Sequence, residues 1–343
     1  MWDLGPHDGA HRVALRAGLA VGIPLVVLWL FDRSDLSLYT TFGAFTSLYG
    51  RDHSHVTRGK IQLTVALALV LAVAIGSALA ISADRTWLAI PITAIYAAAV
   101  TLLSNAFGWR PAGSLFPVFA ISACASIPGT LADAAVASAL AAGSAGLALL
   151  IGIAGLLRRG SREAPATTWG IDVIRSSRRR GTWEDVARTG LVVLVAGAIP
   201  TALALDYPYW SMVAAAASIS GLDTARRFIR AGHRLVGTLA GVGVAAVIFW
   251  LAPPALVTIA IVCVLQVCAE LFVVRNYGLA LVFVTPLALV MIALSHPLDT
   301  AELLLYRVLE TVIGVSVVVA FTLVAHVREV TRSSDAPEHG TTG

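Results

Sequence analysis

The sequence predicts an all-α integral membrane protein of about 12 transmembrane helices, built as two parallel six-helix repeats. Three observations carry that reading. Hydrophobic residues make up 58% of the chain and charged residues only 13%, with a mean hydropathy of +0.83; soluble domains hold roughly 25% charged residues. Apolar segments recur along all 343 residues, and a span needs ~20 such residues. Segment lengths and loop charges then start again, with a period of about 165–172 residues. A soluble enzyme, a secreted domain, a disordered chain and a coiled coil all fit this composition poorly.

The segments follow in order. Val13 to Phe31 is apolar and is ended by Asp32, Arg33 and Asp35. Leu36 to Gly50 is shorter and rich in Thr, Ser, Gly and Tyr. After the polar stretch Arg51 to Lys60 come Ile61 to Ile81, Thr86 to Phe107, the short Ala112 to Ile127 broken by Pro117, and Ala134 to Leu157. These fill residues 1–157, the expected first half. Residues 158–185 carry seven arginines and read as an aqueous linker. The pattern resumes over 186–327 with Val186 to Leu205, a short Tyr207 to Gly221, a basic loop holding Arg226, Arg227, Arg230 and Arg234, and four further spans: Leu235 to Ala252, Pro254 to Val273, Gly278 to Leu294 and Leu303 to Ala325. The tail 328–343 is polar and expected to be disordered.

Charge orients the chain. With 12 spans and the N-terminus inside, 21 of the 24 basic residues fall on the cytoplasmic side, only Arg33 and Arg85 fall outside, and Arg307 lies within the last span. The opposite orientation would invert the positive-inside bias, so both termini are expected in the cytoplasm. The net charge of +4 and pI near 9.2 therefore reflect topology rather than nucleic-acid binding. Cys124, Cys263 and Cys268 all fall in apolar segments, against disulfides and against a zinc site. The first residues lack a basic n-region, so a cleaved signal peptide is not expected. One lysine, Lys60, among arginines and abundant alanine suggests a GC-rich bacterial genome.

The repeat is visible in motifs. Arg16 aligns with Arg188, Asp35-Leu-Ser-Leu-Tyr39 with Asp206-Tyr-Pro-Tyr-Trp210, and Arg110-Pro-Ala-Gly113 with Arg275-Asn-Tyr-Gly278. Six spans per half make the repeats parallel, with a pathway expected between the halves. A smaller frame places Arg, Thr and Gly at i, i+4 and i+7, on one helix face. It reads Arg234-Thr238-Gly241 and Arg307-Thr311-Gly314, with Lys60-Thr64-Leu67 as a weaker copy. Close helix packing accounts for the Thr and Gly. Arg234 can snorkel from a helix end, whereas Arg307 lies inside a span with Glu310 one turn on. An intramembrane cation is a functional candidate; a structural Arg307–Glu310 pair is the alternative.

These residues resemble the fusaric acid resistance protein-like (FUSC) transporters, which include aromatic carboxylic acid exporters and share a six-span unit with plant malate-conducting channels. The resemblance is carried by Tyr209-Trp210, the Arg234 frame, Asn276-Tyr277 with Thr285-Pro286, and the Arg307 frame, over about 183–325. The first half, 12–157, lacks the Tyr-Trp pair, the Asn-Tyr pair and an arginine in its sixth span. The resemblance implies export of small organic anions.

No GxxxxGK[ST] loop, HExxH or dinucleotide fingerprint is present, so neither an enzyme nor a cofactor is expected. His53 and His55 are two imidazoles in one loop, which a solvated loop explains better than a metal site does. The substrate-binding candidates are Arg307, Glu310, Thr311, Arg234, Thr238, Tyr209, Trp210, Asn276, Tyr277 and Tyr39. The expected partners are a small organic anion, aromatic carboxylates foremost, and the lipid bilayer of a bacterial plasma membrane. Self-association into a homo-oligomer is left open, and no nucleic acid is called for. An uncoupled anion channel and a non-transporting membrane scaffold are the competing readings.

Overall fold

The structure, a computed structural model, describes residues 10–51, 53–154, 180–219, 224–295 and 299–334. These residues form 12 α-helices and no strand. In the first half they are α1 (Ala10–Leu30), α2 (Ser37–Ala44), α3 (His55–Leu79), α4 (Arg85–Phe107), α5 (Leu115–Ser126) and α6 (Leu131–Ile153). In the second they are α7 (Arg180–Ala202), α8 (Tyr209–Ile219), α9 (Thr224–Leu251), α10 (Ala255–Phe272), α11 (Tyr277–Ser295) and α12 (Thr300–Ser334). Their order matches the expected segments. Among the described residues, nine helices are long and apolar enough to cross a membrane.

The other three, which fall in the segments expected to be short, correct the expectation of 12 spans. α2, α5 and α8 have 8, 12 and 11 residues. At ~1.5 Å per residue none covers the ~30 Å hydrocarbon thickness. They are also the most buried elements: every residue of α2 and of α8 is buried, as are nine of α5. A short helix with no lipid-facing side belongs inside a bundle, where neighbours satisfy its ends. α2, α5, α8 and α11 therefore form the interior, and the longer helices sheathe them.

Three boundaries differ from the sequence reading. α7 begins at Arg180, inside the expected linker; the rest of that linker, 158–179, lies outside the described residues, as do 155–157 at the end of the expected first half. The expected basic loop at 226–234 is helical, the first part of α9. α12 runs through Ser334, past the expected end of the last span, and 335–343 lie outside the described residues. Capping explains several ends. Thr130 and Asp133 form a capping box at the start of α6, and Ser54 Oγ accepts from the Thr57 amide at the start of α3.

In the first half α3 packs on α5 and α6, α2 on α6, α1 on α2, and α4 on α5. In the second, α9 packs on α11 and α12, α8 on α12, α7 on α8, and α10 on α11. Between the halves α4 packs on α7 and α1 on α10, while inside, α5 meets α8 and α2 meets α11. The first half is filled with rings: Phe42 against Phe45 and Phe119, Tyr49 against Trp109 and Phe116.

Candidate functional site

The second half is held together by close backbone approaches. A Cβ at Gly314 of α12 would fall on the Ser211 carbonyl of α8, and one at Gly241 of α9 would meet Thr285 and the Leu281 carbonyl of α11. Small residues let helices approach this closely. The same register turns the inner stripes of α9 and α12 toward α8 and α11. On α12 that stripe holds Arg307, Glu310, Thr311 and Gly314; on α9 it holds Arg227, Arg234, Gly237, Thr238 and Gly241, all buried.

Arg307 is 1% exposed and Glu310 0%. The Arg307 guanidinium lies over the Trp210 ring, 3.9 Å from its centroid, a cation–π contact worth ~2 kcal/mol or more once desolvated. Its Nε and Nη1 have no hydrogen-bond partner, and neither carboxylate oxygen of Glu310 completes one, although the Ser211 backbone stands beside it. No ion pair joins the two side chains among the described residues. The structural Arg307–Glu310 pair weighed from the sequence is thus absent. Thr311 donates to the Arg307 carbonyl at 2.7 Å, within the helix.

Arg234, 2% exposed, donates from Nη1 to the Tyr277 hydroxyl at 3.2 Å and lies within electrostatic range of Arg307. Arg230, absent from the sequence-predicted set, lies over the Tyr277 ring at 4.2 Å and donates to the Ala217 carbonyl at 2.9 Å. It was missed because its segment reads as a loop; helical, Arg230 falls one turn before Arg234 on the same side. The Arg234 Nε, the hydroxyls of Thr238, Thr285 and Ser211, and the Trp210 Nε1 also lack partners. Buried polar groups normally find partners, so this concentration in one place is unusual.

Two predicted residues fall outside the cluster. Asn276 accepts from the Leu279 amide through its side-chain oxygen at 3.0 Å, which caps α11. Tyr39 lies away from the arginines, in an apolar core shared by both halves with Phe42, Phe119 and Tyr209. Lys60, the proposed counterpart of Arg234, is exposed; its neighbour Arg58 is buried instead and donates to the carbonyls of Gly50, His53 and Gly152. Glu270 pairs with Arg51 across the halves.

A cleft of about 700 Å³ opens between the halves, lined by the loops around residues 83–87, 126–128 and 204–208 and by Leu38, Ser122, Tyr209, Met212 and Ile292. Tyr209 lines this cleft, and Trp210, whose ring centroid is 4.9 Å from that of Tyr209, covers the Arg307 guanidinium. Guanidiniums with unspent donors, deep in an apolar bundle, make a site for an anion. The adjacent indole suits a planar partner.

Comparison with known proteins covers this part of the chain. Residues 194–321 match the family described as fusaric acid resistance protein-like. A stretch of 107 residues is 33% identical to the uncharacterized membrane protein YvaC of Bacillus subtilis, covering 31% of this chain and 17% of that protein; the chain thus matches about a sixth of its relative's length. No solved structure matches. The match spans the end of α7, α8, α9, α10, α11 and most of α12, so the part of this membrane protein that holds the arginine cluster is the part that is similar to the fusaric acid resistance protein-like family.

Proposed function

We propose that the protein is a membrane transporter that exports small organic anions, aromatic carboxylates foremost, and that Arg307 binds the anionic group. One observation carries the reading: a guanidinium 1% exposed, with two nitrogens lacking partners, held under an indole within a membrane bundle. A purely structural charge here would be better replaced by apolar packing. Arg230, Arg234 and Arg307 form a succession of cations toward the cleft, and Tyr277 and Trp210 supply flat faces along it. Glu310 supplies an acceptor for a hydroxyl or a proton-bearing group on the same ligand.

The two halves are read as parallel repeats. Support comes from the packing partners, which recur six helices on: α3 with α6 and α9 with α12, α2 with α6 and α8 with α12, α4 with α7 and α10 with α1. The positive-inside bias puts both termini and the 158–185 linker in the cytoplasm of a bacterial cell, and the cleft outside. The test is flux of a labelled aromatic carboxylate in proteoliposomes, with and without a proton gradient. Flux that falls to background in Arg307→Met supports the reading. Flux indifferent to protons would make the protein a channel, and no flux in the unmodified protein would make it a scaffold.

A further inference from the structure

The cleft stops where the rings begin. On α5 its lining includes Ser122; one turn deeper on the same helix is Phe119, 8% exposed. Phe119 belongs to the first half, yet its ring lies 5.1 Å from Trp210 and is stacked 6.4 Å from Tyr209. Trp210 in turn covers Arg307 at 3.9 Å. Three rings from two halves therefore make a chain of contacts from the lining of a wide cleft to a buried guanidinium. The matching junction, where α2 meets α11, has no such layer: Ser37 faces Ser295 at 3.3 Å and the Thr41 hydroxyl faces the Met291 sulfur.

We infer that Phe119, Tyr209 and Trp210 form a gate between the cleft and Arg307, with Phe119 the first-half residue that holds Trp210 over the guanidinium. This rests on Arg307 being the anion site. Opening requires the indole to leave Arg307, and an arriving planar anion replaces its face on the guanidinium. Aromatic contacts of this kind are individually modest, so the layer can part without unfolding the bundle. A methyl group at 119 would leave Trp210 without its lateral support.

Accessibility tests this without needing a substrate. In a background of Cys124→Ala, Cys263→Ala and Cys268→Ala, single reporters Ser126→Cys in the cleft and Thr311→Cys beyond the gate are exposed to a membrane-impermeant methanethiosulfonate. The reagent is added outside proteoliposomes, and rates are taken for molecules whose cleft faces out. With Phe119 intact, Thr311→Cys is expected to react about tenfold or more slowly than Ser126→Cys. Phe119→Ala should raise the Thr311→Cys rate about tenfold, while Phe119→Tyr keeps it slow. A changed Ser126→Cys rate would mark a distorted fold, in which case Phe119→Leu carries the comparison. The gate is overturned if Thr311→Cys reacts as fast as Ser126→Cys with Phe119 intact. It is also overturned if neither Phe119→Ala nor Phe119→Leu changes the Thr311→Cys rate. Unchanged flux in Arg307→Met would remove the anion site and leave these rates standing.

Discussion

Arg58 and Arg307 are buried arginines, one in each half, and their donors are spent differently. Arg58 gives its donors to the carbonyls of Gly50, His53 and Gly152 and to the His55 ring. Arg307 gives two of its nitrogens to no protein partner. The surroundings differ in the same sense. The first-half interior is closed by Phe42, Phe45, Tyr49, Trp109 and Phe116, whereas the second collects hydroxyls, guanidiniums and a carboxylate on its inner stripes. Helices in the same order thus make a filled scaffold in one half and a charged interior in the other.

The comparison breaks first at these two arginines. Arg307→Met should abolish anion flux, by about 100-fold or more, with thermal stability kept or raised, since the variant removes a desolvated charge. Arg58→Met should do the reverse. It strands several carbonyls, each costing about 1–3 kcal/mol, and should lower yield and melting temperature. Flux per folded molecule should stay near the unmodified value. Equal behaviour of the two variants in flux and melting assays would erase the distinction between the halves.

The second contrast is between ion pairs. Arg51 and Glu270 join the halves with side chains 11% and 7% exposed, and Arg16 stands close by. Asp185 pairs with Arg188 within α7 at 3.2 Å and with Arg227 of α9 at 3.9 Å, but Asp185 is 45% exposed. Glu270→Gln leaves Arg51 and Arg16 facing each other and should cost about 3–5 kcal/mol. Asp185→Asn, screened by solvent, should cost about 0–1 kcal/mol. Chemical denaturation in detergent measures both, and a Glu270→Gln cost as small as that of Asp185→Asn would show that the halves do not depend on this pair.

The sequence made the helix order legible because period and hydropathy survive in every segment. It overestimated α2, α5 and α8 as spans, since an apolar run of a dozen residues looks alike whether it faces lipid or protein. Half of the cluster was readable from the i, i+4, i+7 frames at Arg234 and Arg307. Arg230 was not, because a run of four arginines reads as a polar loop until its helix is known. Phe119 carried no signal at all: its role depends on the meeting of α5 with α8, which lie far apart along the chain. Glu270 shows the same limit, with its partner Arg51 across the halves.

A third contrast needs no charge. Gly314 and Gly243 both lie in second-half helices, but a Cβ at Gly314 would fall on the Ser211 carbonyl, while one at Gly243 meets nothing within 4 Å. Gly314→Ala should destabilise by about 1–3 kcal/mol and disturb the register that turns Arg307 inward, so flux should fall too. Gly243→Ala should stabilise by about 0.5–1 kcal/mol through helix propensity alone. If both variants melt alike, the crossing of α12 on α8 is looser than its geometry implies.

The smallest expected effect separates two neighbours in one motif. Asn276 and Tyr277 are adjacent, yet Tyr277 accepts from Arg234 and underlies Arg230, while the Asn276 side chain is spent on the Leu279 amide. Asn276→Ala should therefore cost about 1 kcal/mol as a lost cap and leave flux per folded molecule unchanged, and Asn276→Asp, which keeps the acceptor, should restore the stability. Tyr277→Phe should do the opposite: it keeps the ring under Arg230 but frees Arg234, so apparent anion affinity should shift while melting barely moves. A melting series combined with flux measured against anion concentration distinguishes these outcomes. If Asn276→Ala changes the affinity and Asn276→Asp fails to recover it, Asn276 touches the ligand, and the boundary drawn between cap and site is misplaced.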